Sequence, residues 1–110
     1  MQVVVDSEQL QAVLRSYPAV LVLFGSPTCG VCTALKPRLL DLLEERFAQL
    51  MPVYVDCAAS PKLSAQEGIF TLPVVRVYFE GQRFVERVRV FAVQALAEDI
   101  QRPYDLISAP

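Results

Sequence analysis

Cys29 and Cys32, separated by two residues in the run Ser26-Pro27-Thr28-Cys29-Gly30-Val31-Cys32, are two of only three cysteines in the chain. Sulfur at this spacing has three uses: half of a metal clamp, a packed pair of small apolar groups, or a dithiol that cycles with its disulfide. A structural zinc needs four ligands. Cys29, Cys32 and Cys57, with no histidine anywhere, cannot supply them without a carboxylate or a second chain. Packing accounts for neither the spacing nor the position, at the end of an apolar run and the start of a helical one. That position suits chemistry. A cysteine in the first turn of a helix faces unpaired N–H groups and the positive end of the helix dipole, and both favour thiolate over thiol. Such sites and Cys-X-X-Cys pairs bring a cysteine pKa from ~8.5 down to roughly 3.5–7.5. Cys29 is therefore the candidate nucleophile. Cys32 follows one turn later, where its sulfur can meet that of Cys29, and Gly30 leaves the approach open to a second polypeptide.

The elements that must hold this pair follow from periodicity. Asp6 with Gln9 resembles a capping box before Leu10, Val13, Leu14 and Tyr17, which repeat at helical spacing until Pro18. Ala19 to Phe24 is continuously apolar, as a strand covered on both faces should be. Val31, Leu35, Leu39, Leu42, Leu43 and Phe47 mark one face of a long helix that contains Pro37. Met51 to Asp56 reads as a second inner strand, and Ser60-Pro61 as the cap and first turn of a short helix ended by Gly68. Val74–Phe79 and Arg83–Phe91 form a hairpin around Glu80-Gly81. Val93, Leu96 and Ile100 give a last helix stopped near Pro103, with residues 103–110 a loose tail. Helical crossovers make the early strands parallel, and the hairpin adds antiparallel ones. The expectation is one α/β domain over residues 1–110, a mixed five-stranded sheet with helices on both faces.

Composition narrows the function. With 54% hydrophobic residues the 110-residue chain can build a core, and a formal charge of −2 gives no basic footprint for nucleic acid. No apolar run approaches the ~20 residues of a membrane helix, and the N-terminus lacks a signal-peptide pattern. A cytoplasmic monomer is expected. Without histidine there is no Ser-His-Asp triad, Cys-His pair or histidine-ligated metal within the chain. No metal and no organic cofactor are expected; the electrons would travel through sulfur.

Phe24 to Pro37 resembles the active-site segment of thioredoxins, including the helix proline five residues after the second cysteine. Gly68-Ile69-Phe70-Thr71-Leu72-Pro73-Val74 is similar to that family's loop ending in a cis proline, and Glu80-Gly81 falls at its hairpin turn. The likeness covers nearly the whole chain. It implies a thioredoxin-like fold and a thiol–disulfide oxidoreductase that acts, as a reductase, on protein disulfides and is recharged by an unknown electron donor. It also implies residue roles: Cys29 attacks, Cys32 resolves the mixed disulfide, Pro73 is cis, and Thr71, Leu72, Pro73, Gly30 and Val31 meet the substrate segment. The chain departs from the family pattern where tryptophans are usual, at Gly25 and Thr28. A customary buried aspartate is Leu23, its lysine companion is Pro52, and a glycine near the last helix is Phe91. Loss of the acid would slow resolution by Cys32 and make the couple more oxidising.

Three features lie outside the motif. Cys57 reads as a small apolar filler at a strand end, with a regulatory or dimer-forming thiol as the alternative. Arg76 interrupts an apolar strand; we expect its stem to lie along the sheet with the head in water, rather than paired inside with Glu86 or Asp99. Arg83, Arg87 and Arg89 blunt an exposed edge strand. Two rival functions stand beside the oxidoreductase. One is a thioredoxin-fold binding or chaperone-like module with an incidental dithiol; the other is a dimer carrying an iron–sulfur cluster on its exposed cysteines.

Overall fold

A computed structural model describes residues 1–108. Five strands, β1 (Gln2–Val3), β2 (Ala19–Gly25), β3 (Met51–Asp56), β4 (Val74–Phe79) and β5 (Gln82–Val88), are joined by α1 (Ser7–Ser16), α2 (Gly30–Arg46) and α3 (Pro61–Gln66), and α4 (Val93–Ser108) follows. The sheet order is β1-β3-β2-β4-β5. β1 and β2 run parallel to β3, while β4 is antiparallel to both β2 and β5. The reason is local: β1 and β2 are each followed by a helix that must cross back over the sheet. β4 and β5 are joined by Glu80 and Gly81, both at positive φ, as the tight hairpin turn requires.

All seven residues of β2 are buried, so the strand supplies both cores at once. Leu21 and Leu23 face Leu35, Leu39 and Leu43 of α2 and Leu96 and Ile100 of α4. Val20, Val22 and Phe24 face Leu10 and Leu14 of α1 and Leu63 of α3. Burying each such side chain contributes about 1.5–3 kcal/mol, which fixes the end of β2 and whatever follows it. At its start α1 is capped by Asp6, whose carboxylate accepts from the Gln9 N–H at 2.8 Å. Gln9 Oε1 accepts in return from Val5 N–H, one residue before the cap, so the box is wider by one position than its sequence suggests.

Several expectations are corrected. α4 runs through Pro103 to Ser108, so the segment from 103 is not a loose tail; Ala109 and Pro110 lie outside the described residues. One missing backbone donor is outweighed by packing: Tyr104 meets Phe47 edge-on at 5.0 Å, and Ile107 packs on the α2-side core. β5 ends at Val88 rather than Phe91, because Arg89 takes a positive φ and gives its N–H to Pro73 O at 2.7 Å. Ser60 stands at the N-cap of α3 without a side-chain capping bond. Val31 is exposed, so the buried face of α2 begins at Cys32 instead.

Arg76 is the largest correction. Its side chain is 6% exposed and does not reach water. It donates to Glu67 Oε1 at 2.9 Å, Glu86 Oε2 at 2.7 Å and the Glu67 carbonyl at 2.8 Å, and it lies over the Phe24 ring. Four partners replace hydration, which is what a buried guanidinium demands. Asp99 pairs with Arg87 instead. The edge strand does carry charge, with Arg83 beside Glu86 and Arg87 paired to Asp99, and Arg89 lies exposed just beyond its end.

Candidate active site

Ser26 to Thr28 carry the chain from the buried end of β2 into α2, and Cys29 becomes the N-cap residue of that helix in extended conformation. Its Sγ accepts from the Cys32 N–H at 3.2 Å. A sulfur in this place receives a first-turn N–H and faces the positive end of a 17-residue helix, and both interactions strengthen when it is a thiolate. Cys29 and Cys32 form a disulfide with Cα atoms 5.2 Å apart. The two sulfurs differ in access: Cys29 is half-buried, whereas Cys32 is 2% exposed.

Gly30 and Val31 are both exposed beside Cys29. Val31 lines one shallow cleft with Arg38, Arg89, Val90 and Phe91, of about 170 Å³. Leu72 lines another with Ser26, Cys57 and Phe70, so the 69–73 loop lies against the turn that presents the cysteines. The Leu72–Pro73 bond is cis, and Pro73 is buried while Thr71 is exposed. Among the described residues, the backbone of Thr71 makes no internal hydrogen bond and is available to an extended segment from outside. The structure thus gathers Cys29, Cys32, Gly30, Val31, Thr71, Leu72 and Pro73 at one end of the sheet.

Leu23 is 0% exposed within the α2-side core, so no carboxylate on β2 approaches Cys32. Gly25, its neighbour two residues on, has a packing reason to lack a side chain. A Cβ there would fall 3.0 Å from Cys32 Cβ, 3.2 Å from Cys32 Sγ and 3.4 Å from a ring carbon of Tyr54. Sequence reading named Gly25 only as a departure from the family pattern, and missed Lys36, Tyr54 and Asp56 at this site. The signal was present: β2 and β3 are parallel, so their ends fall at one sheet edge, and Gly25 pairs in register with Asp56.

Cys57 is half-buried, its N–H bonded to Gly25 O at 2.8 Å. Burial pushes its thiol up, against a lowering by the Ser64 hydroxyl, and the Asp56 charge adds to the rise. The upward shift favours thiol over thiolate at Cys57. Among the described residues, no group of three or more histidine, cysteine, aspartate or glutamate side chains could hold a metal ion. No helix among the described residues is long and apolar enough to cross a membrane.

Known proteins place this arrangement. The family model described as Thioredoxin matches residues 1–102. Thioredoxin 1 of Synechococcus elongatus is 32% identical over 80 residues, covering 73% of this chain and 75% of that protein. Protein disulfide-isomerase A2 of Pongo abelii is 32% identical over 83 residues, covering 73% of this chain but 16% of its own length. Among solved structures, Fasciola hepatica thioredoxin superposes with a TM-score of 0.82 at 19% identity, over 93% of this chain and 98% of that one. Chlamydomonas reinhardtii thioredoxin f2 gives 0.79 at 21%, over 100% and 98%. At these identities the two structures speak for the fold. The chain belongs to the thioredoxin family. Its activity is thiol–disulfide oxidoreduction.

Proposed function

We propose that this chain reduces disulfides in partner proteins, Cys29 attacking and Cys32 resolving, and is recharged by a separate electron donor. The observation that carries the reading is the asymmetry of the pair. Cys29 sits at the mouth of the site with its sulfur on a helix N–H, and Cys32 is closed off behind it. Cys29 thiolate attacks one sulfur of the partner disulfide; a Cys29–partner bond forms and the other partner sulfur leaves as thiolate. Cys32, deprotonated, then attacks Cys29 Sγ. The Cys29–Cys32 bond forms, the mixed disulfide breaks, and the electron pair departs with the second partner thiolate. The partner has gained two electrons and the dithiol has lost them. During this exchange an extended partner segment pairs with the free backbone of Thr71 beside Leu72 and Pro73, while Gly30 and Val31 give it room.

The test is reduction of a protein disulfide by the dithiol-reduced chain, with Cys29→Ser as control. Turnover lost altogether in the control is the expected result. No turnover by the wild-type protein, with partner binding retained in Cys29→Ser, would mark the chain as a binding module instead.

A further inference from the structure

Resolution requires Cys32 to lose a proton, and the structure leaves that proton little choice of route. Cys32 is 2% exposed, and the α2-side core around Leu23 offers it only hydrocarbon. The other side is different. A cleft of about 290 Å³ opens behind the cysteine, lined by Ser26, Cys32, Lys36, Tyr54 and Asp56 among others. Because a water occupies about 30 Å³, this space admits several. Cys32 and Asp56 both line it, the Cys32 sulfur lies 3.2 Å from where a Cβ on Gly25 would stand, and Asp56 pairs with Gly25 in the β2–β3 register.

We propose that Asp56 is the proton acceptor for Cys32 in resolution, acting through water in this cleft. The inference rests on the dithiol exchange proposed above. Asp56 Oδ1 accepts from the Ala58 and Ala59 N–H groups at 3.0 and 3.1 Å, which fixes the carboxylate. Its other oxygen has no partner among the described residues and no ion pair engages it. Lys36 follows Cys32 by one turn of α2 and holds its ammonium 4.7 Å from the Tyr54 ring centroid, also without a carboxylate partner. Lys36 thus lines the same cleft as Cys32 and Asp56 and brings a positive charge to it. Tyr54, the remaining titratable wall, is held protonated: burial pushes its phenol up, and the charges of Asp56 and Cys57 add to this. Cys29 is itself bonded to the partner at this stage, and β2 contributes no ionisable group. In the step, the Cys32 S–H bond breaks and the proton passes by water to the Asp56 carboxylate. The sulfur's electron pair makes the bond to Cys29, and the partner sulfur leaves with the pair of the broken disulfide.

Dithionitrobenzoate reads the two steps separately in a Cys57→Ser background. Attack by Cys29 releases a first coloured thiolate, and attack by Cys32 releases a second. With Asp56 accepting the proton, the second-phase rate does not rise with pH between about pH 6 and about pH 8. In Asp56→Asn, which keeps the acceptor for Ala58 and Ala59, the ratio of second-phase to first-phase rate at pH 6.5 falls by about tenfold or more. The second phase then rises tenfold per pH unit. A wild-type second phase that already rises tenfold per unit across that range overturns the proposal, whatever the variant does. So does an unaltered ratio in Asp56→Asn. If no first phase depends on Cys29, it is the exchange reading that fails instead.

Discussion

Leu23 and Arg76 occupy adjacent strands one register step apart, Leu23 opposite Val75 and Val22 opposite Arg76, yet they face opposite sides of the sheet. On the α2 side Leu23 is hydrocarbon against hydrocarbon, directly below the helix that carries the dithiol. On the α1–α3 side Arg76 holds a full charge inside, answered by Glu67, Glu86 and the Phe24 ring. The difference teaches where this chain, as distinct from its family, houses buried charge. It is tolerated where two carboxylates and a carbonyl replace water, and it is absent where α2 packs flat against β2. Burial alone would push Arg76 down, but the hydrogen bond to Glu86 and the neighbouring negative charges outweigh it and hold the guanidinium up.

The strongest way to break this contrast is to put a charge where there is none. Leu23→Asp places an unpartnered carboxylate in the core, and its pKa rises on folding. A group raised in the folded state favours folding below its unfolded pKa, near 3.9, and opposes it as pH climbs. The variant should lose about 4 kcal/mol at pH 7 and distinctly less at pH 4, measured by urea unfolding at both. Equal losses at the two values would mean that ionisation is not the cause. The converse change removes a charge that is already answered. Arg76→Ala leaves Glu67 and the partly exposed Glu86 facing each other, and should cost about 3 kcal/mol in the same assay. Arg76→Met, which keeps the volume, should cost less; a larger loss would show that the ion cluster contributes more than its desolvation consumes.

A smaller effect sharpens the comparison at alkaline pH. Burial pushes Cys57 and Tyr78 up, Tyr78 against the opposing charge of Arg76. Each group folds in its neutral form, so its contribution is complete below its ordinary value of 9.0 or 10.0 and is lost as pH rises through the folded value. The urea midpoint should hold steady from neutrality to about pH 8.5 and fall by pH 10.5. The same raised thiol should leave Cys57 unmodified by iodoacetamide at pH 7, while reduced Cys29 is alkylated, as intact mass would report.

Much of this was legible from residue order. The apolar run at 19–24, the helix-start position of Cys29, the turn at Glu80-Gly81 and the thioredoxin likeness of 24–37 and 68–74 follow from local chemistry: periodicity, capping and turn preference act over a few residues. Pro103 shows where that logic stops. A proline removes one backbone bond from a helix, but whether the helix continues depends on Tyr104 reaching Phe47, more than fifty positions away in sequence.

The sequence by itself determined that sulfur is the reactive element and that no histidine of this chain assists, and it pointed to Cys29 as the leading sulfur. Only the tertiary structure decided how each charge is housed. Arg76 is buried because the end of α3 and β5 bring Glu67 and Glu86 to it, and Cys32 shares a cleft with Asp56 because β2 and β3 end side by side, Gly25 opposite Asp56. Neither pairing leaves a mark in the local pattern, since solvation of a charge depends on what the whole sheet packs around it.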